Sequence, residues 1–114
     1  MDYLENIKAQ IRKGILEFTI LVIIEKGEIY ASEILKKLQK TDLIVVEGTL
    51  YPLLSRLKRH ELVEYNWKES RSGPPRKYYK LTDKGLETLK DLKKSWKALY
   101  QSVNFLIKKN EKGN

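Results

Sequence analysis

The chain of 114 residues contains no cysteine, which excludes disulfide scaffolds, cysteine zinc sites and thiol catalysis and is typical of a reducing compartment. Its single histidine, His60, cannot form a multi-histidine metal site. With six glycines and three prolines, the sequence also lacks a glycine-rich phosphate-binding loop. We therefore expect a protein that is not an enzyme and binds no cofactor or metal.

Long apolar runs are absent as well. The longest, Ile15–Ile24, is interrupted by Glu17 and Thr19 and is shorter than the about 20 residues that a membrane span requires. Asp2 and Glu5 precede it, unlike the positively charged start of a secretory leader. The sequence thus predicts a single cytoplasmic domain without membrane association.

Basic and acidic residues are unevenly distributed. The net charge is +8, from 23 basic and 15 acidic residues. Residues 1–55 carry seven basic and eight acidic side chains, residues 56–80 carry eight and three, and residues 82–114 carry eight and four. A basic block that begins at Arg56 indicates a polyanionic partner such as nucleic acid, although a solvated lysine-rich surface would have the same composition.

Apolar residues recur at helical spacing in three segments, which predicts helices over about 5–25, 30–40 and 47–60. Gly27 follows the first segment and is the usual signal for the end of a helix. The short connection Lys40–Val46, with the third helix leading into the basic block, is the outline of a helix-turn-helix. The apolar positions are Ile7, Ile11, Ile15, Phe18 and Val22, then Ala31, Ile34, Leu35 and Leu38, then Leu50, Leu53, Leu54 and Leu57.

Two alternating segments follow the helices. Val63, Tyr65 and Trp67 are separated by polar residues, and a second such segment runs over Arg76–Leu81. The residues between them, Glu69–Pro75, are rich in serine, glycine and proline, so the sequence predicts a β-hairpin. Because this tip is too long for a two-residue turn, we expect it to be a loose loop.

The last segment has the clearest pattern. Its apolar residues recur every three or four positions, which is the spacing of a coiled-coil seam and predicts a helix over about 83–108 with Thr82 or Asp83 as its N-cap. Such a helix is about 39 Å long, and a domain this small covers only part of it. We therefore expect a second copy of the chain to cover the rest, rather than a helix folded wholly onto its own domain. The seam begins at Leu86, and the predicted dimer-interface residues are Leu89, Leu92, Trp96, Leu99, Val103 and Leu106.

The helix over 47–60 directs its leucines inward and leaves polar and basic side chains outside. Hydroxyl groups and guanidinium groups are the ones that contact phosphates and base edges. The candidate DNA-binding residues on this helix are Thr49, Tyr51, Ser55, Arg56 and Arg59. The hairpin tip adds a basic wing suited to a phosphate backbone or a minor groove. Its candidate residues are Arg71, Ser72, Gly73, Arg76 and Lys77.

Two motifs in these segments resemble those of the PadR-like transcriptional regulators. Glu47–Leu57, with the sequence EGTLYPLLSRL, is similar to the recognition helix of that family, and Ser72–Gly85 is similar to its wing. Lys13–Glu17 and Gly27–Tyr30 match weaker positions, and the resemblance extends over about residues 10–106. The C-terminal part resembles the small subfamily, which ends in one dimerisation helix.

The resemblance implies a mostly α fold with a small β-hairpin, a winged helix-turn-helix followed by a long C-terminal dimerisation helix. Residues 1–81 would form the DNA-binding domain, and the first helix would also contribute to the dimer. Residues 82–114 would form the dimerisation helix and tail. It further implies a homodimeric repressor that binds a palindromic operator in double-stranded DNA and is released by a small aromatic or drug-like effector.

Trp96 and Tyr100 are the candidate effector-binding residues. The resemblance includes a tryptophan at the position of Trp96, and two copies of this indole could stack on either side of a planar ligand. Nearby lysines favour a neutral or anionic ligand over a cationic one, and they are Lys93, Lys94 and Lys97. In the alternative interpretation, Trp96 only fills the dimer seam.

Two residues depart from the family pattern. Val46 stands where a capping residue such as serine is usual, and the loss of that cap costs about 1 kcal/mol. Glu61 stands where glycine is usual, and a left-handed conformation there would add about 1–2 kcal/mol of strain.

Two other functions remain open at this stage. A winged-helix module that binds protein and not DNA would have an apolar or acidic outer face on the third helix. An RNA-binding protein would need an aromatic stacking platform, and no such platform is evident in the sequence.

Overall fold

The computed structural model describes residues 2–43, 45–70 and 72–111. Four helices and a small antiparallel sheet form a winged helix-turn-helix, which confirms the predicted fold class. In chain order the elements are α1 (Tyr3–Ile24), β1 (Ile29–Tyr30), α2 (Ala31–Gln39), α3 (Glu47–Arg59), β2 (Val63–Ser70), β3 (Gly73–Leu81) and α4 (Asp83–Glu111). None of the helices in the described ranges is long and apolar enough to cross a membrane.

The C-terminal half of α1 forms the centre of the core. Leu16, Ile20, Leu21 and Ile24 are buried there, and the leucines of α2 and α3 pack around them. The N-terminal half begins at the cap Asp2, whose carboxylate accepts a hydrogen bond from the Glu5 amide at 2.8 Å. Several apolar side chains of this half are exposed, including Leu4 at 59% and Ile11 at 61%.

The sheet has three strands in the order β1-β3-β2, all antiparallel. Strand β1 was not predicted from the sequence, because two residues are too few to show alternation. It pairs Ile29 with Tyr79 and Tyr30 with Tyr78, and so attaches the start of α2 to the hairpin. The hairpin of β2 and β3 is called the wing below.

The wing is more regular than predicted. β2 continues to Ser70 and β3 begins at Gly73, which pairs with it, so the expectation of a loose loop over 69–75 is wrong. The register shifts here, because Pro74 and Pro75 together lie opposite Glu69. Proline has no amide to donate, and this part of β3 tolerates it because β1 does not extend along its other edge.

α3 ends in a turn that uses the left-handed conformation at Glu61, where φ is 61°. The Glu61 amide donates to the Lys58 carbonyl, and the Leu62 amide donates to the Leu57 carbonyl, each at 2.9 Å. This pair of bonds is a Schellman motif, in which glycine is the usual residue at the position of Glu61. The strain that the sequence suggested for this position is therefore present.

α4 begins directly beside this turn. The Thr82 hydroxyl caps α4 by accepting from the Gly85 amide at 2.9 Å, and it donates to the Glu61 carbonyl at 2.5 Å. A Cβ atom at Gly85 would lie 2.0 Å from the Leu62 carbonyl oxygen, so only glycine allows this approach. At the start of α3, by contrast, Val46 provides no side-chain cap, as predicted.

Only the first turns of α4 belong to the core. Leu89 is 1% exposed and Leu92 packs against the core beside it, whereas Leu99 is 61% exposed. Because the side chain of Leu89 is already covered by its own chain, its assignment to a dimer interface is corrected. The division of the chain at residues 81 and 82 stays a prediction.

Replacing Glu61 with glycine should stabilise the protein by about 1 kcal/mol, because glycine adopts positive φ without a Cβ clash. The Glu61→Ala variant is the matched control, since it removes the same carboxylate and keeps the Cβ atom. Urea unfolding at one protein concentration measures both. Equal stability of the two variants would show that the carboxylate, and not the backbone conformation, determines the difference.

Candidate nucleic-acid interface

The outer side of α3 is polar, as the sequence predicted. Leu50, Leu54 and Leu57 are at most 1% exposed and hold the helix on the core. Tyr51 is 47% exposed, and Ser55 and Arg59 are also exposed. Because the leucines fix the rotation of the helix, these three side chains are directed away from the core.

A groove separates α3 from the wing. It consists of two adjoining cavities of about 400 and 280 Å³, which share Lys77 and Tyr79 and so form one depression. We call it the α3–wing groove. Further side chains line its first part, namely Tyr30, Ser32, Tyr51, Trp67 and Arg76, and its second part, namely Ser55, Lys58, Arg59 and Tyr65.

The basic side chains of this groove lie over aromatic rings. The Arg76 guanidinium carbon is 4.5 Å from the centre of the Tyr30 ring, and the Lys77 Nζ is 4.5 Å from the centre of Tyr65. The Lys58 Nζ lies 5.3 Å from the same Tyr65 ring, on which two cations therefore converge. A ring attracts a cation through its quadrupole and carries no net charge. The positive charge of the groove is therefore not neutralised.

Other lysines of the wing have carboxylate partners. Lys80 forms an ion pair with Glu64 at 3.3 Å, and Lys68 forms one with Glu28, which joins β2 to the segment before β1. These pairs lower the net positive charge of the wing, and Lys68 stands directly opposite Arg76 in the hairpin.

Tyr79 forms the floor of the groove and is 5% exposed. Burial raises the pKa of its phenol above the ordinary value of 10.0, and the neighbouring Tyr51 and Tyr65 raise it further. The Tyr79 side chain is therefore neutral at physiological pH. This keeps a negative charge out of a groove whose lining includes four basic side chains, namely Lys58, Arg59, Arg76 and Lys77.

Not all of the predicted DNA-binding residues reach this groove. Arg56 pairs with Glu17 of α1 at 2.7 Å, so its guanidinium links two helices. Thr49 lines a separate cavity of about 620 Å³ between α3 and α1. Ser72 and Gly73 are exposed at the tip of the wing, and Arg71 lies outside the described residues.

Several groove residues were missed by the sequence reasoning. Lys58 follows Tyr51 and Ser55 at spacings of seven and three, so the helical period could have revealed it. Tyr30 reaches the groove only because β1 pairs with β3, and no pattern within a single segment indicated that pairing. Trp67 reaches it through the predicted hairpin, in which β2 pairs with β3.

The candidate effector residues lie at a second place, between α1 and α4. The Trp96 ring is 6.2 Å from that of Phe18 and 6.1 Å from that of Tyr100, measured between ring centres. Beside Trp96 lies an apolar cavity of about 300 Å³, which is lined by Ile15, Phe18, Thr19, Val22 and Leu43. Of the nearby lysines, Lys93 is paired with Glu25 at 2.7 Å.

Comparison with known protein families gives a match over residues 20–91 to the model of the transcriptional regulator PadR-like family. The chain belongs to the PadR-like family. Its fold and the resemblance of its motifs agree with this assignment, which makes the protein a transcriptional regulator and not an enzyme.

Solved structures of this family have the same fold. A PadR-like transcription factor from Bacteroides fragilis is 55% identical, with a TM-score of 0.74 over 89% of this chain and 98% of that one. A PadR-like regulator from Bacillus cereus is 46% identical, with a TM-score of 0.80 over 86% and 96% of the two chains. Bacillus subtilis PadR, in complex with operator DNA, is 23% identical and shares the fold, with a TM-score of 0.64 over 68% of this chain and 45% of that one.

Titration of tyrosinate absorbance should show one tyrosine that ionises above pH 10.0, and the Tyr79→Phe variant should lack it. Tyr3→Phe, at a position that is 79% exposed, is the control and should leave the late-titrating component in place. Because folding favours the neutral phenol, the stability from Tyr79 is present below pH 10.0 and is lost as the pH rises through its pKa in the folded protein. If the Tyr79→Phe variant still showed the tyrosinate absorbance change that occurs above pH 10.0, Tyr79 would not be the late-titrating group.

Proposed function

We propose that this PadR-like regulator binds double-stranded operator DNA as a homodimer and represses transcription. The observation that carries the proposal is the α3–wing groove, which is lined by exposed hydroxyl groups and by cations that have no carboxylate partner among the described residues. The protein would act in the cytoplasm, because a bacterial regulator meets its operator there.

The groove suits a DNA backbone bound beside the recognition helix. Arg59, Arg76 and Lys77 would contact phosphates, which accept charge-assisted hydrogen bonds from such groups. Tyr51 and Ser55, on the exposed side of α3, would contact base edges in the major groove. The wing tip, with Ser72 and Gly73, would follow the backbone towards the minor groove. Bacillus subtilis PadR, which has the same fold, forms a complex with operator DNA, and this supports DNA as the partner.

The two alternative functions are less well supported. A module that binds protein in place of DNA would have an apolar or acidic outer face on α3, whereas α3 presents Tyr51, Ser55 and Arg59 there. For RNA, the groove does contain exposed aromatic side chains, which the sequence reasoning did not anticipate. Trp67 is nonetheless packed edge-on to Tyr65, with 90° between the ring planes, and does not form a continuous stacking surface.

Selection of bound duplexes from a random DNA pool tests the proposal. We expect a palindromic sequence to be enriched, because a two-fold symmetric dimer reads two equivalent half-sites. A pool of single-stranded RNA is selected in parallel. Enrichment of RNA alone, or no enrichment from either pool, would contradict the proposed function.

Different parts of the interface should affect DNA binding differently. Tyr51→Ala and Ser55→Ala should weaken binding and reduce preference for the operator, by roughly 1–3 kcal/mol for a contacted base. Arg76→Ala and Lys77→Ala should weaken binding to all duplexes and lower the slope of log affinity against log salt by about one for each lost phosphate contact.

Arg56→Ala is the matched control for these measurements. Its guanidinium is paired with Glu17, so we expect a smaller change in the salt slope than at Arg76. Fluorescence anisotropy of a labelled operator over a series of salt concentrations provides both the affinity and the salt slope. An unchanged slope in both wing variants would mean that their charges face solvent and not DNA.

We also propose that α4 forms the dimer with the α4 of a second chain. After Trp96 no described residue covers the seam, and its exposed side chains are Leu99 at 61%, Val103 at 55% and Leu106 at 58%. The exposed N-terminal half of α1, with Ile11 at 61%, would contribute to the same interface. Burying these side chains would remove apolar surface from water, which favours association.

The double variant Leu99→Glu/Val103→Glu should be monomeric, because carboxylates cannot be buried in an apolar seam without a large cost. The control is Lys94→Glu/Gln101→Glu, which introduces the same groups on the opposite side of α4 and should remain a dimer. Sedimentation equilibrium distinguishes the two. A dimer that survives the seam variant would place the interface elsewhere.

For regulation, we propose that a planar aromatic effector of neutral or anionic character binds near Trp96 and Tyr100 and releases the operator. The apolar cavity beside Trp96, and the exposure of its ring at 42%, support a site at the dimer centre. Lys93 is paired with Glu25, which leaves Lys97, the residue after Trp96, to attract an anion.

Tryptophan fluorescence of the Trp67→Phe variant, titrated with phenolic acids, should be quenched through Trp96. Effector-dependent release of the operator should be lost in Trp96→Ala, provided that this variant still dimerises. If no compound quenches Trp96 and Trp96→Ala responds normally, then the effector does not bind at this place.

A further inference from the structure

Two cations of the α3–wing groove are held by rings from different elements. Arg76, on β3, lies over Tyr30 at the start of α2, and Lys77 lies over Tyr65 and Trp67 of β2. None of the ion pairs between described residues includes either of them. The proposed function assigns Arg76 and Lys77 to phosphates but gives no role to the rings.

We propose that Tyr30 and Trp67 are positioning residues for DNA binding, which hold Arg76 and Lys77 towards the groove without neutralising them, and that Trp67 also packs against a sugar of the bound strand. The proposal rests on the proposed function, since it concerns the same DNA interface. It adds two residues that lie outside α3 and the wing tip.

The kind of partner that holds a cation determines whether its charge stays available to a phosphate. A carboxylate would also fix the Arg76 side chain, but it would compete with a phosphate for the guanidinium hydrogens. A ring contacts the face of the guanidinium and leaves its N–H groups at the edge free to donate. A ring therefore lowers the entropy that the side chain loses on binding and preserves its charge.

Tyr30 is suited to this role because its own position is fixed. Its ring contacts Tyr78 edge-on, with 5.3 Å between ring centres and 73° between planes. Its backbone is paired with β3, and its amide donates to the Glu33 carboxylate at 3.3 Å. A ring held from several sides can restrict Arg76, whereas a mobile ring could not.

Trp67 is suited to a second role because much of it is exposed. The ring is 62% exposed although it contacts Tyr65 at 6.4 Å between centres, and the Lys77 Nζ lies 5.4 Å from its centre. A phosphate bound by Lys77 would bring the adjoining deoxyribose close to the indole. Such packing would cover apolar surface that is otherwise in contact with water.

The first experiment is a double-mutant cycle on operator affinity with Tyr30→Leu and Arg76→Gln. An exposed cation–π contact corresponds to about a two- to fivefold change in affinity, so Tyr30→Leu should weaken binding by that factor. The salt slope should stay near that of the unaltered protein, because the charge of Arg76 remains. In the Arg76→Gln background, Tyr30→Leu should cause no further loss of affinity. The Tyr30→Phe variant keeps the ring and should bind the operator as the unaltered protein does.

An additive loss in the double variant, or a loss in Tyr30→Phe, would overturn the positioning role of Tyr30. Thermal melting establishes that each variant is folded. If Tyr30→Leu unfolds, Arg76→Lys provides the test, because it keeps the charge but loses planar stacking. It should then weaken operator binding by about two- to fivefold at an unchanged salt slope, and equal affinity would overturn the role.

The second experiment follows Trp67 directly in a Trp96→Phe protein, which leaves Trp67 as its single tryptophan. Operator addition should change the Trp67 emission, and Trp67→Leu should weaken operator binding more than Trp67→Phe does. Unchanged emission with full operator binding would overturn the contact of Trp67 with the strand while leaving the proposed function intact. If the unaltered protein bound no duplex, the proposed function itself would fail.

Discussion

The close approach of Gly85 to the Leu62 carbonyl oxygen determines how the two halves of the molecule are joined. A Cβ atom there would lie 2.0 Å from that oxygen, so no other residue allows α4 to begin so near the end of α3. The Thr82 hydroxyl strengthens the same junction by bonding to Glu61 and to Gly85. The helix proposed to form the dimer therefore has a defined direction relative to the helix proposed to read DNA.

α1 provides the second connection between these two regions. Glu17 pairs with Arg56 of α3, the neighbouring Phe18 contacts Trp96 of α4, and Glu25 pairs with Lys93. The buried second half of α1 packs against both helices. α1 therefore joins α3 to the part of α4 that carries Trp96.

The electrostatics of the wing follow from the choice of partner for each cation. Lys68 and Lys80 have carboxylates, whereas Arg76 and Lys77 have rings. Carboxylate partners lower the positive potential, and rings leave it unchanged. The same hairpin can thus be stabilised by ion pairs on one part of its surface and remain strongly positive at the groove, next to the neutral Tyr79.

The sequence by itself determined the four helices, the hairpin, the outward side of α3 and the unusual residues Val46 and Glu61. These features depend on the period of apolar residues and on local backbone preferences, both of which are properties of short segments. Only the tertiary structure decided four other features. They are the three-stranded sheet, the pairing of Arg56 with Glu17, the burial of Leu89 within its own chain, and the rings around Arg76 and Lys77. Each of these features joins residues from separate elements. The distances between such residues depend on how the elements pack together, and no single segment of the sequence encodes that packing.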